Sequence, residues 1–130
     1  MANEWKWKRG PGLTVQALAA GAHSKGQPCY ISNNEATACG DGNSVDLVAA
    51  TDVTSGAVGT YYMPFNDVFE VKTGADLGMY ARVYMAASNA VDAGSAGNIA
   101  CGVVVDYNPA SSGCALIAVQ SALSWPTTHA

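Results

Sequence analysis

The stretch that decides the fold is IACGVVVDYNPASSGCALIAVQ, which runs from Ile99 to Gln120. It contains two apolar runs, Ile99–Val105 and Cys114–Val119, separated by DYNPASSG, whose Asn, Pro, Ser and Gly are typical of turns. Three consecutive valines favour a strand, and Gly102 and Pro109 stand at positions where they would break a helix. The stretch therefore predicts a β-hairpin. Because each run is apolar at consecutive positions, we expect both faces to be covered, as in a small barrel or sandwich.

Further strand-forming runs recur about every ten residues along the chain, with Gly, Pro, Asn and Ser between them. They are Leu13–Leu18, Cys29–Ser32, Val45–Ala50, Val58–Met63, Val68–Val71 and Leu77–Ala87. Apolar residues do not recur with a convincing helical period in any segment. The sequence therefore predicts an all-β domain.

Two parts of the chain resemble each other. Val48–Gly56 aligns with Val105–Gly113 at an offset of 57, and Tyr30–Ala36 aligns with Tyr84–Ala90 at an offset of 54. Identities are few, so chance similarity in an Ala-, Ser- and Gly-rich chain is one interpretation. The other is an internal pseudo-repeat, in which two half-barrels share one core and the hairpin at Val48–Tyr62 covers the later one.

Length and charge restrict the classes of partner. A chain of 130 residues is most simply one domain. The net charge is −4, yet the first nine residues carry +2, which leaves −6 for the rest. Such a body repels nucleic acid, and three cations without a basic patch behind them would bind it only weakly. No apolar run approaches the ~20 residues of a membrane span. We therefore expect no specific nucleic-acid partner and no membrane insertion.

The four cysteines lack the close spacing of a zinc site: they are Cys29, Cys39, Cys101 and Cys114. If the hairpin closes symmetrically about Asp106–Gly113, Val105 faces Cys114 and Cys101 faces Ala118. Cys101 and Cys114 are then not cross-strand partners. Free buried thiols, and assembly in a reducing cytoplasm, are therefore predicted.

The first residues alternate between aromatic and basic side chains. Trp5 and Trp7 fall on one side and Lys6 and Lys8 on the other, until Gly10–Gly12 interrupts the pattern. The segment is an extended arm or an edge strand. Its indoles either fold back on the body or dock on a partner, where Trp is a common anchor.

Residues suited to catalysis or metal binding are sparse. His23 lies in a predicted turn, His129 is next to the last residue, and neither has ligand or nucleophile spacing. The carboxylates are scattered, and the loose group Asp41, Asp46 and Asp52 lacks a calcium-loop pattern, so they are interpreted as solvated loop acids. Neither a G-x-S-x-G elbow nor a phosphate-binding glycine loop is present. We expect no enzyme activity, no metal and no cofactor.

The second half of the chain contains three strand-forming segments in a fixed order, Val68–Val71, Arg82–Tyr84 and Cys101–Val104. They hold the places of a G-V-F-E-L-like strand, a G-D-x-V-Y strand and an I-G-V-V strand. In this order the chain resembles the capsid cement, or head decoration, proteins of tailed bacteriophages. The resemblance also covers Gly56–Met63, Asn89–Val91 and the closing strand Gly113–Val119. The ends of the chain depart from the family pattern.

The resemblance implies a small single-domain β-barrel or β-tulip-like fold that decorates the outer surface of a phage head. The implied partner is the major capsid protein at capsomer junctions, the implied oligomer a homotrimer, and the implied role resistance to the pressure of packaged DNA. We expect an extended N-terminal arm at 1–12, the decoration domain at 13–122 and a tail at 123–130. The predicted partner contacts are Trp5, Lys6, Trp7, Lys8, Arg9, Trp125 and Pro126.

A second class of function is compatible with the residues. A carbohydrate- or host-surface-binding module on a virion would use aromatic side chains as a stacking platform. The candidates are Tyr61, Tyr62, Phe65, Phe69, Tyr80 and Tyr84, for which packing in the core or at an interface is the simpler expectation.

Overall fold

A computed structural model describes residues 3–73, 77–94, 97–107 and 113–119, and in this part of the chain the fold is all-β, as predicted. A single turn of 3-10 helix, Ala87–Asn89, interrupts the strands. The strands are β1 (Lys6–Arg9), β2 (Thr14–Ala19), β3 (Pro28–Ser32), β4 (Glu35–Ala38), β5 (Leu47–Ala49), β6 (Val58–Tyr62), β7 (Val68–Lys72), β8 (Arg82–Met85), β9 (Val91–Asp92), β10 (Ala100–Tyr107) and β11 (Cys114–Val119).

The strands form two sheets. One is a closed barrel with the order β2-β4-β3-β5-β6, and the other is six-stranded with the order β1-β7-β11-β10-β8-β9. The barrel has its own core, which includes Cys29, Leu47 and Tyr61. The larger core belongs to the six-stranded sheet, and Val45 and Val48 from the β5 region also pack there. The first half of the chain thus helps to cover the second.

The predicted hairpin is present as β10 and β11, but its register differs from the symmetric one. Val104 faces Ile117 and Asp106 faces Leu116, so a bulge leaves Val105 without a partner opposite it. The prediction that Val105 faces Cys114 and Cys101 faces Ala118 was therefore wrong. Tyr107 faces Ala115, so the strands already pair out of the symmetric register at the turn, and the extra residue on β10 then changes the pairing again by one. Alternation of polar and apolar residues gave no sign of either shift.

The hairpin is covered on one face more than on the other. Val104 and Ile117 are fully buried, whereas Val103 and Leu116 on the opposite face are half-buried. The expectation that both faces are covered is met in full on the core side of the sheet and only in part on the other side. Small residues still allow close contact within it: a Cβ on Gly102 would lie 2.6 Å from the carbonyl oxygen of Ala118.

The pseudo-repeat is visible in the topology. The barrel contains the antiparallel order β4-β3-β5-β6, and the larger sheet contains the corresponding order β9-β8-β10-β11. β2 pairs with β6 as β7 pairs with β11, and their registers correspond: Leu18 faces Val58 where Lys72 faces Cys114. Each copy therefore has five strands.

Closure also follows the same plan in both copies. In the barrel, β2 and β4 close the ring as a parallel pair that includes Ala19 and Ala36. In the second copy a single parallel bridge joins Thr73, just after β7, to Val91. The expectation that the two halves share one core was wrong, because the buried residues form two separate clusters. The expected covering of the second copy by the first is present in part, since Val45 and Val48 belong to the larger cluster.

Candidate functional site

The N-terminal strand β1 lies at an edge of the six-stranded sheet, antiparallel to β7. Lys6 faces Glu70 and Trp7 faces Phe69, and the register then shifts by a bulge before Arg9. The alternating Trp and Lys residues suit this position, because one face of β1 packs inward while the other meets solvent. Of the two structures predicted for this segment, the described residues adopt the edge strand.

Trp5 folds back into the core. Its side chain is 2% exposed, and its indole Nε1–H donates to the carbonyl oxygen of Asn89 at 2.8 Å. The ring lies 6.1 Å from that of Phe69, and the backbone N–H of Trp5 donates to the carbonyl oxygen of Gly26 at 2.9 Å. Trp5 was predicted as a partner contact, but in this fold its indole is not available at the surface. Burial of a large ring with its N–H satisfied explains the placement.

Trp7 is the exposed indole of the pair. It is 37% exposed and stacks on Tyr62, with ring centroids 6.1 Å apart and an interplanar angle of 9°. Its Nε1–H donates to Oδ2 of Asp67 at 2.9 Å. Trp7 therefore presents one part of its ring to solvent while the other part fixes β1 to the body.

Asp67 holds this region together. Its carboxylate is fully buried and accepts three N–H groups, from the Trp7 indole, from Gly12 at 2.9 Å and from Phe65 at 3.0 Å. Gly10 packs against it with φ +132, where a Cβ would lie 2.8 Å from the Asp67 Cα. The interpretation of the carboxylates as solvated loop acids was wrong for Asp67. Two of the three donors, Trp7 and Gly12, lie 60 and 55 residues away along the chain, which local sequence does not reveal.

Asp46 is a second buried carboxylate that was misjudged. It is 7% exposed, and Oδ2 accepts the backbone N–H of Ile31 at 2.9 Å. It belongs to the barrel wall, and Asp41 and Asp52 are exposed as expected.

Two shallow grooves lie on either side of β1. One, of about 280 Å³, is lined by Lys8, Arg9, Glu70 and β11. The other, of about 260 Å³, lies towards the barrel and is lined by Lys6 and Lys25 together with Glu4, Trp5, Trp7, Ala49 and Tyr62. Lys8 pairs with Glu70 at 3.3 Å in an exposed setting, which makes the pair weak.

The structure describes three of the other predicted partner contacts and leaves the remaining two outside the described residues. Lys6, Lys8 and Arg9 are exposed on β1, with Lys6 and Trp7 at one groove and Lys8 and Arg9 at the other. Trp125 and Pro126 lie outside the described residues, as does His129.

His23, predicted in a turn, forms an isolated antiparallel bridge with Val53, and its side chain is buried. It is 4% exposed, its Nδ1 lies 2.8 Å from the Tyr61 hydroxyl oxygen, and the Cys29 sulfur is 3.8 Å from the same nitrogen. Burial lowers the pKa of His23 and raises the pKa of Tyr61 to about 12. A neutral imidazole hydrogen-bonded to a phenol is a satisfied core pair. Among the described residues, no three His, Cys, Asp or Glu side chains form a group able to hold a metal ion.

All four cysteines are free, as predicted. Cys29 and Cys101 are fully buried, and burial raises the pKa of each thiol to about 12. Burial also raises the pKa of Cys39. The more accessible Cys114 borders the groove beside Lys8.

The aromatic residues do not form one platform. Tyr61 and Phe69 are fully buried, in different cores, which confirms packing for both. Tyr80 is 74% exposed in the loop before β8. Within the ranges that the structure describes, no helix has the length and hydropathy needed to cross a membrane.

The fold and its N-terminal strand define a class of protein: an all-β chain of two similar five-stranded units, with a terminal strand fastened beside them. No protein-family model matches the chain, and no curated protein sequence matches it.

Among solved structures, the chain is similar in fold to the head fiber gp8.5 N base of bacteriophage phi29. The TM-score is 0.60, with 15% sequence identity, and the match covers 83% of this chain and 93% of that chain. The likeness therefore extends over nearly all of the phage domain and shows that the two share a fold.

Proposed function

We propose that this chain is a structural protein of a tailed-phage head, which binds the outer surface of the assembled shell where capsomers meet. Its partner is the major capsid protein, and its role is to hold neighbouring subunits together against the pressure of packaged DNA. The observation that carries the proposal is the fold likeness to a phage head fiber base over 93% of that domain. The sequence resemblance to head decoration proteins supports it independently.

The surface supports a binding role. β1 is an edge strand whose exposed Trp7 is flanked by basic side chains, and Trp is a frequent anchor at protein interfaces. Lys6, Lys8 and Arg9 therefore remain contact residues in this proposal, whereas Trp5 serves the fold. Trp125 and Pro126 are contacts of the same proposal outside the described residues.

The mechanism is mechanical. Each copy buries surface across a boundary between shell subunits, typically about 800 Å² per partner for a stable contact. A protein that binds the assembled lattice more tightly than free subunits stabilises the lattice by mass action, by about 2.7 kcal/mol per site at a hundredfold excess over Kd. Trimeric association would multiply these contacts at one junction.

The test is binding to purified heads in two lattice states. Heads that lack this chain are incubated with it before and after expansion, sedimented, and assayed for bound protein. We expect saturable binding to expanded heads, with a fixed number of copies per head, and weak binding to unexpanded heads. Absence of binding to both forms, together with binding of the isolated chain to a glycan array, would replace this function by the host-surface alternative.

A further inference from the structure

The cations of this chain are concentrated around β1. The whole sequence contains six Lys and Arg residues, and four of them line the two grooves that flank β1. We call these four the basic strip: Lys6, Lys8, Arg9 and Lys25. The other two, Lys72 and Arg82, line neither groove. Ten carboxylates are distributed over the chain, yet only Glu4 and Glu70 line these grooves.

The basic strip borders an open strand edge. In the sheet order β1 stands first, with β7 as its strand neighbour among the described residues, so its other edge has no strand beside it there. This edge faces the barrel, because the backbone N–H of Trp5, just before β1, donates to the carbonyl oxygen of Gly26. Lysines on an edge strand discourage self-association, since two copies would place like charges together. They attract a segment of opposite charge.

We propose that β1 and its two grooves bind an extended, acidic segment of the shell protein. This inference rests on the proposed function and specifies the chemistry of the partner. An extended chain places alternate side chains on one face, so acidic residues at every second position would meet the basic strip. The exposed part of the Trp7 ring provides an apolar contact in the groove that Lys6 and Lys25 also line.

The observations favour a polypeptide over a nucleic acid. Glu4 and Glu70 stand within the grooves and would repel a continuous line of phosphates, and the chain beyond its first nine residues carries −6. A peptide with spaced carboxylates avoids both acids. In the Lys8–Glu70 pair the Lys8 side chain is 45% exposed and the Glu70 side chain 25% exposed, so Lys8 can exchange partners at little cost in free energy.

The experiment titrates the full-length chain into a fluorescent peptide of alternating Glu and Val and follows anisotropy. The matching peptide with Gln for Glu and a single-stranded oligothymidine of similar length are the comparison probes. Two double variants carry the same change of net charge: K6Q/K25Q within the basic strip, and K72Q/R82Q outside it. All four positions are exposed, so both variants should fold, which circular dichroism checks.

We expect the acidic peptide to bind and the neutral one to bind more weakly, with affinity falling as ionic strength rises from about 0.05 to about 0.5 M. K6Q/K25Q should weaken binding by roughly 2- to 30-fold, the effect of losing two exposed charge pairs. K72Q/R82Q should change it by less than about twofold. Equal binding of both peptides, equal effects of both variants, or tighter binding of the oligothymidine overturns the inference.

Head binding separates this inference from the proposed function. If native protein binds expanded heads and K6Q/K25Q binds them equally well, the inference is overturned while the proposed function stands. If native protein does not bind heads, the proposed function falls, and with it the shell protein as the source of the segment. Binding by native protein that K6Q/K25Q weakens and K72Q/R82Q does not supports both.

Discussion

Asp67→Asn tests whether one buried carboxylate fastens the N-terminal strand to the body. The carboxylate accepts the Trp7 indole N–H and the Gly12 N–H on Oδ2, and the Phe65 N–H on Oδ1. Asparagine has the same shape but one acceptor oxygen. If that oxygen takes the Oδ2 place, the amide NH₂ meets the Phe65 N–H, donor against donor.

The cost follows from that mismatch. A buried N–H that loses its acceptor destabilises a protein by about 1–3 kcal/mol, and the two retained bonds weaken because their acceptor is no longer charged. For a domain of this size each kcal/mol corresponds to roughly 3–6 °C in Tm. We therefore expect Asp67→Asn to lower the free energy of unfolding by about 1–3 kcal/mol and to expose Trp7.

The assay is equilibrium urea unfolding of the native chain, D67N, W7F and the double variant. W7F keeps an aromatic ring against Tyr62 but removes the indole N–H, so it isolates one of the three bonds. If Asp67 binds Trp7 as described, the two substitutions are coupled by at least about 0.5 kcal/mol. Additive effects, or a loss below about 0.5 kcal/mol in D67N, would refute the reasoning.

Three further predictions concern the cores and one glycine. Burial lowers the pKa of His23, so as pH falls below about 6.5 the imidazole takes up a proton in the unfolded state before it does so in the folded state. The free energy of unfolding then drops by up to about 1.4 kcal/mol per pH unit. His23→Gln should therefore flatten the curve of Tm against pH between neutral and mildly acidic pH. With a thiol reagent near pH 8, Cys114 should react in the native state, whereas Cys29, with its pKa raised to about 12, should react only as the chain unfolds; rapid native labelling of Cys29 would contradict its burial. Gly26 has φ +85, and Gly26→Ala would place a Cβ 2.9 Å from the backbone nitrogen of Trp5. Gly56 also has a positive φ, but a Cβ there meets open space, so Gly56→Ala is the control. In urea unfolding we expect Gly26→Ala to lower the free energy of unfolding by about 1–3 kcal/mol more than Gly56→Ala.

The hairpin and the all-β class were predictable because they depend on local composition. A run of valines favours a strand, and a segment rich in Asn, Pro, Ser and Gly favours a turn, wherever they occur. The bulge at Val105 was not predictable, since Val105 ends a run of three valines that fit either register. A shift of one residue in such a strand changes the pairing without changing the hydrophobic pattern that a sequence displays.

The repeat was detected, but its meaning was misjudged. The aligned segments covered only part of each copy and did not include β2 and β7, the strands that pair with the end of their own copy. Those strands share little sequence: Thr14–Ala19 is half-exposed, whereas Val68–Lys72 is mostly buried. Equivalent positions in the two copies therefore face different surroundings, which removed the similarity that would have revealed them.

The candidate site was predictable in composition and not in arrangement. Alternating Trp and Lys residues located the segment, yet only the fold shows that Trp5 turns inward while Trp7 remains at the surface. Lys25 and Asp67, distant in sequence, join it through loops that the sequence presents as ordinary turns. A candidate surface of this kind is assembled by topology, and no short motif encodes it.

The central claim is that this chain strengthens a phage head, and the most direct measurement is the temperature at which DNA-filled heads release their DNA as a function of bound protein. Heads lacking the chain are titrated with it, and bound copies and release temperature are measured on the same samples. We expect the release temperature to rise with occupancy and to reach its plateau when the binding sites are full. Full occupancy with an unchanged release temperature would contradict it.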